Sequence, residues 1–401
     1  MMSQQQNKIV IKHLTPELLD DDGINRADWI AELHKVFVSS GGIAAVVGDV
    51  RCLVHDLEHH RWYHYQLPRG WWRWALARGS TRLWGIVDNG KLAMLDLRSG
   101  EWFAFQHRIY YESILYAEDD VVIAQGKDIL AIDVLRLEND SLQRIVRIPL
   151  KFDFIPSEIS SAFFPEENQF IVFGGRYDRH TLWRLGWNGE SDLILDVEGI
   201  DASLRFPFFV AYDNKEKNLI YADLRENPVK PRYVNFDSCF KHGSSVYYLH
   251  KAFVFDNSLI VALGLDERLA IIRLEEEEKP EILYDKCKSE EFKNTFSVLD
   301  LCLLGRFLTL GRERWVYDLV ARRTSRDVPW STLLHQAIQD EVERQQAAGA
   351  TITPMLTQAQ ECSDIDALKV FLRTSQYRLA EIEGDSIKNA VSSSQHSAIF
   401  F

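Results

Sequence analysis

The stretch Gly90–Phe105 reads "GKLAMLDLRSGEWFAF": an apolar run, an Asp-Leu pair, a polar turn, then a tryptophan heading a second apolar run. The phrase "CLVHDLEHHRWYHYQL" (Cys52–Leu67) repeats this order 40 residues earlier. With the aspartates aligned, Asp56 precedes Trp62 by six residues and Asp96 precedes Trp102 by six; near the other end Asp318 precedes Thr324 by six. Each copy predicts two short strands around a four-residue polar turn, because Trp and Thr favour strands and Asp favours their ends. Asp56 and Asp318 are 262 residues apart. Six steps of about 44 residues cover that distance, within the range of about 40–50 for propeller blades.

Seven units of up to four strands follow from this period. The second reads "WRWALARG", "RLWGIVDNG", "KLAMLDLRSG", "EWFAFQ". The sixth reads "KAFVFDN", "SLIVALGLDE", "LAIIRLEEEE", "PEILYD". The fifth is weaker, with three recognisable strands, and the seventh ends in a poor one, "TSRDVPW". Several inner strands are continuous apolar runs, as in "SLIVALG" and "QFIVFGG". Such strands are buried on both faces. A meander of this kind cannot stand alone, and stacking the sheets face to face around an axis covers both faces of each. A helical period is missing from Gly42 to about Pro329, which argues against parallel α/β folds.

"QFIVFGGRYDRHTLWRLGW" (Gln169–Trp187) resembles a kelch repeat, with Gly174 and Gly175 followed by Tyr177 and Trp183. The phrases "YDL" and "LDLRSGEW" resemble kelch, WD40 and quinoprotein-type blades. The paired glycine occurs in one unit in this form, and the Gly-His plus Trp-Asp signature of WD40 blades is missing. The resemblance implies a divergent propeller and carries no functional residue with it. It is also similar in general character to stand-alone propellers of bacterial gene clusters with ATPases, some tied to conflict or defence.

The expected fold is all-β: a seven-bladed β-propeller over 36–330, with an N-terminal strand and helix (1–35) and a C-terminal α-helical extension (331–387). A polar, flexible tail (388–401) follows. "KIVIKHL" (Lys8–Leu14) predicts a free strand that pairs with the first or last blade to fasten the ring. "NRADWIAELHKVF" predicts a helix bearing Trp29, Ile30, Leu33 and Phe37, with Asn25 and Asp28 as caps. "WSTLLHQAIQDEVERQQ" puts Leu334, Ala337, Ile338 and Val342 on one helical face, as an appendage the ring's core does not require.

The 401 residues are 46% hydrophobic and 26% charged, an ordinary globular balance. A net charge of −13 offers no basic face, which argues against nucleic-acid or anionic-membrane partners. No apolar run reaches the roughly 18–20 residues of a membrane span. The five cysteines, Cys52, Cys239, Cys287, Cys302 and Cys362, are scattered and odd in number, as expected of free thiols in a reducing cytoplasm.

The candidate chemistry is sparse. His55, His59, His60 and His64 surround one turn, yet turn histidines in solvent are the simpler expectation than a metal site. Cys302 lies in an apolar strand and reads as a core residue. Glu275–Glu278 read as a solvated hairpin tip. Six of the 11 tryptophans fall between Trp62 and Trp102, and "GWWRW" holds Trp71, Trp72 and Trp74 as candidate partner contacts or inter-blade packing. The terminal Phe400 and Phe401 are the other candidate contacts.

G-x-S-x-G, H-E-x-x-H and P-loop motifs do not occur. The leading expectation is a non-catalytic scaffold that joins protein partners, without cofactor or metal. The C-terminal helices would dock a partner or pair two copies of the chain. The alternative is an enzyme, a lyase, hydrolase or glycan-active protein, with a site at the axial channel to which Asp88, Arg176 and Asp178 would contribute. Fold alone does not decide between them.

Overall fold

The computed structural model describes residues 6–348, apart from 40, 69–72, 78, 88–89, 106–108, 128, 139–140, 153–155, 157, 165–168, 177–178, 188, 199–200, 206, 214–215, 217, 236–247, 266–267, 275–280, 286–300, 311–314 and 327. The chain opens with β1 (Gln6–His13), β2 (Glu17–Leu19), α1 (Asp21–Arg26) and a 3-10 turn (Asp28–Glu32). Blade 1 comprises β3 (Leu33–Ser39), β4 (Ile43–Gly48), β5 (Arg51–Asp56) and β6 (Arg61–Gln66). Blade 2 comprises β7 (Arg73–Leu76), β8 (Arg82–Val87), β9 (Lys91–Asp96) and β10 (Glu101–Phe105). Blade 3 comprises β11 (Tyr111–Glu118), β12 (Val121–Gly126), β13 (Ala131–Glu138) and β14 (Ser141–Pro149). Blade 4 comprises β15 (Glu158–Phe164), β16 (Gln169–Arg176), β17 (Arg179–Leu185) and β18 (Ser191–Glu198). Blade 5 comprises β19 (Asp201–Arg205), β20 (Phe208–Asp213), β21 (Asn218–Asp223) and β22 (Arg232–Asn235). Blade 6 comprises β23 (Tyr248–Phe255), β24 (Ser258–Leu265), β25 (Arg268–Leu274) and β26 (Glu281–Asp285). Blade 7 comprises β27 (Leu301–Leu304), β28 (Phe307–Leu310), β29 (Trp315–Asp318) and β30 (Arg323–Arg326), after which α2 (Trp330–Ala348) begins.

The protein is a seven-bladed β-propeller, as the repeat predicts. Every blade is an antiparallel meander in chain order. The first strands of neighbouring blades approach one another, and β27 meets β3 where the ring closes. These first strands therefore line the axis. Seven apolar clusters hold the ring, each between two successive blades. Phe173 of blade 4 meets Phe209 of blade 5 at 5.8 Å between ring centroids, for example. Each fully buried large apolar side chain contributes about 1.5–3 kcal/mol. The fifth unit has a fourth strand, β19, that its polar sequence "DASLR" conceals.

The recurrent aspartate has a local cause. The Asp96 Oδ1 accepts the backbone N–H groups of Arg98 (2.9 Å) and Ser99 (3.0 Å). Asp56 does the same for Glu58 and His59, both at 3.0 Å, and Asp318 for Val320 (3.0 Å) and Ala321 (2.9 Å). The fourth residue after each aspartate is left-handed: His60 (φ 52°), Gly100 (φ 74°) and Arg322 (φ 50°). One turn geometry thus recurs in three blades, with the aspartate satisfying donors that the hairpin leaves open.

The chain ends depart from the sequence expectation. β1 does not fasten the first blade to the last. It pairs with β10, Lys8 opposite Phe105, and its first residues pair with β14, Gln6 opposite Leu142. Blades 2 and 3 so become one nine-stranded sheet. The physical reason is that both outer strands offer unpaired edges. β2 extends blade 1 at its outer edge, Leu18 opposite Tyr63.

The expected helix over Asn25–Phe37 is shifted. α1 starts earlier, capped by Asp20, whose Oδ1 accepts from Gly23 N at 2.7 Å. Leu33 and Phe37 belong to β3, since strand pairing with β4 overrides the helical spacing. Asn25 caps a different helix: its Oδ1 accepts the Ser331 N–H at 3.0 Å.

α2 is no appendage. Trp330, Leu333, Leu334, Ala337 and Ile338 are buried with Ile24, Ile30, Val46, Leu304 and Val316, so the helix completes the core between blades 7 and 1. Pro329 precedes it, outside β30. The further helices expected beyond Ala348, and the tail, lie outside the described residues.

Candidate functional site

The four turn histidines do not share one environment. His59 and His60 are exposed, and the His59 Nδ1 lies 3.0 Å from Asp56 Oδ2. His64 is buried; its ring stacks on Trp29 at 4.3 Å and its Nδ1 lies 3.3 Å from Glu17 Oε2. Burial lowers its pKa, against the Glu17 contact that raises it. His55 is 4% exposed and stacks on Trp62 at 4.2 Å. His335 of α2 stands edge-on to it at 5.1 Å and His60 lies at 6.2 Å. Neither His55 ring nitrogen has a hydrogen-bond partner. Burial first, then the neighbouring His335 and His60, lower its pKa to about 4. The expectation of solvent-exposed turn histidines is therefore corrected for His55 and His64, which the N-terminal segment and α2 cover. Among the described residues no group of three or more His, Cys, Asp or Glu side chains is arranged to hold a metal ion.

Other polar groups tie the ring together. Asp133, fully buried, accepts from Arg147 Nε and Nη2, each at 2.8 Å, and from the Tyr111 hydroxyl at 2.9 Å. Burial and the Asp133 carboxylate push the Tyr111 hydroxyl well above the usual phenol range. Between blades, Arg205 Nε donates to the Ala252 carbonyl (3.1 Å), Lys251 Nζ to the Leu301 carbonyl (2.9 Å) and Arg273 Nη1 to the Leu319 carbonyl (2.9 Å). The Tyr65 hydroxyl donates to the Leu97 carbonyl at 2.9 Å, joining blades 1 and 2. Cys52 and Cys302 are buried, and burial pushes the Cys52 pKa up, which makes it a poor nucleophile.

Of the residues named for the axial-channel alternative, Arg176 is exposed at the end of β16, while Asp88 and Asp178 lie outside the described residues. A pair not singled out from sequence stands nearby. His180 is buried on β17 with its Nε2 3.4 Å from Glu158 Oε1, at the first residue of axial strand β15.

Trp71, Trp72, Phe400 and Phe401 lie outside the described residues, as do Glu275–Glu278. Trp74 is placed on β7, opposite Gly85. Blade 2 opens at Arg73, at the end of the ring where first strands begin. On that same rim, Tyr110 and Leu130 are 38% and 46% exposed. The Tyr110 carbonyl accepts from Lys127 N at 2.7 Å and the Leu130 carbonyl from Leu150 N at 2.7 Å, which fixes both against blade 3. Tyr110 also abuts Gly90 of blade 2. Neither residue falls in a periodic pattern, since both sit in connections. Among the described residues no helix is long and apolar enough to cross a membrane.

No protein-family model and no curated protein matches the chain. Solved structures do resemble it at a distance. A chain of the mitotic checkpoint complex is 13% identical, with a TM-score of 0.43, covering 77% of this chain and 92% of that one. The dihydro-heme d1 dehydrogenase NirN is 10% identical, with a TM-score of 0.44 and coverage of 75% and 69%. The Cps50 (Swd1) propeller domain of Myceliophteria thermophila is 10% identical, with a TM-score of 0.39 and coverage of 65% and 85%. The assignment to the β-propeller fold rests on the seven blades of this chain themselves.

Proposed function

We propose that this propeller is a non-catalytic scaffold that binds a protein partner on the rim of blades 2 and 3. The observation that supports this most is the exposed pair Tyr110 and Leu130, held by backbone hydrogen bonds against blade 3. Rigid aromatic and aliphatic groups on a fixed frame lose little entropy when they bind. Both Tyr110 and Leu130 are among the exposed large apolar side chains of the described residues. Phe400 and Phe401 are proposed as a second contact, of peptide type.

The test is cross-linked affinity capture of the full chain from its native host, comparing wild type with Tyr110→Ser/Leu130→Ser, with Trp71→Ala/Trp72→Ala, and with Val320→Ser. Val320 is 60% exposed on a turn at the opposite end of the ring and serves as control. The expected outcome is a cross-linked partner present with wild type and Val320→Ser and lost with the two rim variants. Retention by all three variants would refute the rim.

One observation favours an axial-channel enzyme instead, the His180–Glu158 pair at the mouth of β15. Small-molecule turnover lost in His180→Gln, with the fold intact, would support that second function over the scaffold.

A further inference from the structure

We infer that the contact between α2 and blade 1 is a proton-sensitive clasp, in which protonation of His55 releases the helix that closes the ring. His55 sits at the seam, not on a free surface: it projects from β5, is 4% exposed, and both ring nitrogens lack a partner. A neutral imidazole tolerates this, because its flat face stacks on Trp62 of β6 and its edge faces His335 of α2. An imidazolium has two N–H donors and needs acceptors or water for them. Among the described residues no acceptor lies within hydrogen-bond distance of either ring nitrogen.

The groups facing His55 come from each packed element. Asp56 lies on its own strand, His60 in the turn before β6, His335 on α2 and Asp21 on α1. The two carboxylates favour a charged His55. Burial and the two other histidines oppose it and prevail, so its pKa falls to about 4. His335 Nε2 also lies 3.5 Å from Asp21 Oδ1, so the same contact ties α2 to α1. A proton on His55 places positive charge toward α2 across the seam.

The sign follows from linkage. His55 binds its proton less readily in the closed form than in the open form. The clasp is complete above pH 6.5 and weakens as the pH falls toward about 4. With an ordinary pKa in the open form, the opening equilibrium of α2 rises about thirtyfold between pH 7.5 and pH 5.

The experiment is amide hydrogen exchange on the full chain at both pH values, corrected for intrinsic rates, read on peptides of Trp330–Ala348 and of β16 and β17. The expected result is loss of α2 protection near that factor, with blade 4 unchanged, and no such loss in His55→Phe, which keeps the stacked ring. Unchanged α2 protection, loss in step with blade 4, or the same loss in His55→Phe overturns the clasp. Should His55→Phe not fold, histidine C2-hydrogen exchange on wild type decides: a His55 midpoint well below 6.5 supports the clasp, and a midpoint near 6.5 overturns it.

Discussion

Gly305 and Ala337 meet backbone to backbone: a Cβ placed on Gly305 would lie 2.9 Å from the Ala337 Cα and 3.1 Å from its Cβ. Gly305 turns blade 7 between β27 and β28 with φ 54°, and α2 rests on that turn. Two small residues let the helix axis approach the sheet end.

Gly305→Val puts a branched side chain into left-handed backbone, which costs about 1–2 kcal/mol. It also overpacks the helix contact, at about 1–3 kcal/mol. The expected loss of about 2–5 kcal/mol is measured by urea unfolding, and a loss below about 1 kcal/mol would show that α2 shifts freely.

A chain ending at Pro329 loses Trp330, Leu333, Leu334, Ala337 and Ile338 from the closing core. Leu33, Leu304 and Val316 then face water, and the expected product is aggregated or molten. A chain ending at Ala348 keeps these contacts and is expected to melt cooperatively. Soluble, cooperative unfolding of the shorter chain, followed by circular dichroism, would falsify the closing role of α2.

Asp96→Ala removes the acceptor of two turn N–H groups. At about 0.5–1.5 kcal/mol per hydrogen bond, the expected cost is about 1–3 kcal/mol. Asp96→Asn keeps an oxygen at the same place and retains most of the stability. Equal melting of the two variants would refute the turn as the origin of the repeated aspartate.

Deleting residues 1–14 uncovers the outer edges of blades 2 and 3. Hydrogen exchange is expected to rise in Glu101–Phe105 and around Leu142, which pair with β1. The α2 seam keeps its protection. A rise at the seam instead would restore the expectation that this strand fastens the ring.

Arg147→Met leaves the fully buried Asp133 with the Tyr111 hydroxyl as its remaining named donor. Breaking a buried pair costs about 3–5 kcal/mol, and the one-third exposure of Arg147 puts this case near the lower bound. Asp133→Asn in the same chain recovers part of the loss. A double-mutant cycle without coupling would show that the pair contributes little.

The meanders were legible because their information is local. Hairpin strands are close in sequence, and the Asp96-type turn is closed by neighbours two and three residues away. Continuous apolar runs such as "SLIVALG" announced burial on both faces, and the period of the aspartates announced stacking. From these the all-β class, the blade count and most strand limits followed. β19 stayed hidden because its alternation rests on two apolar residues, Ala202 and Leu204, in a strand of five.

Ring closure brings together groups that no local rule relates. Asn25 caps a helix 306 residues away, and β1 finds two open edges in blades 2 and 3 rather than at the seam. His55 read as a turn histidine beside His59, yet α2 covers one and leaves the other in water. The sequence by itself determined the repeating unit, since backbone pairing and turn chemistry act between near neighbours. The tertiary structure alone decided which side chains are sealed from water at the seam, because burial depends on what the far end of the chain brings to rest against them.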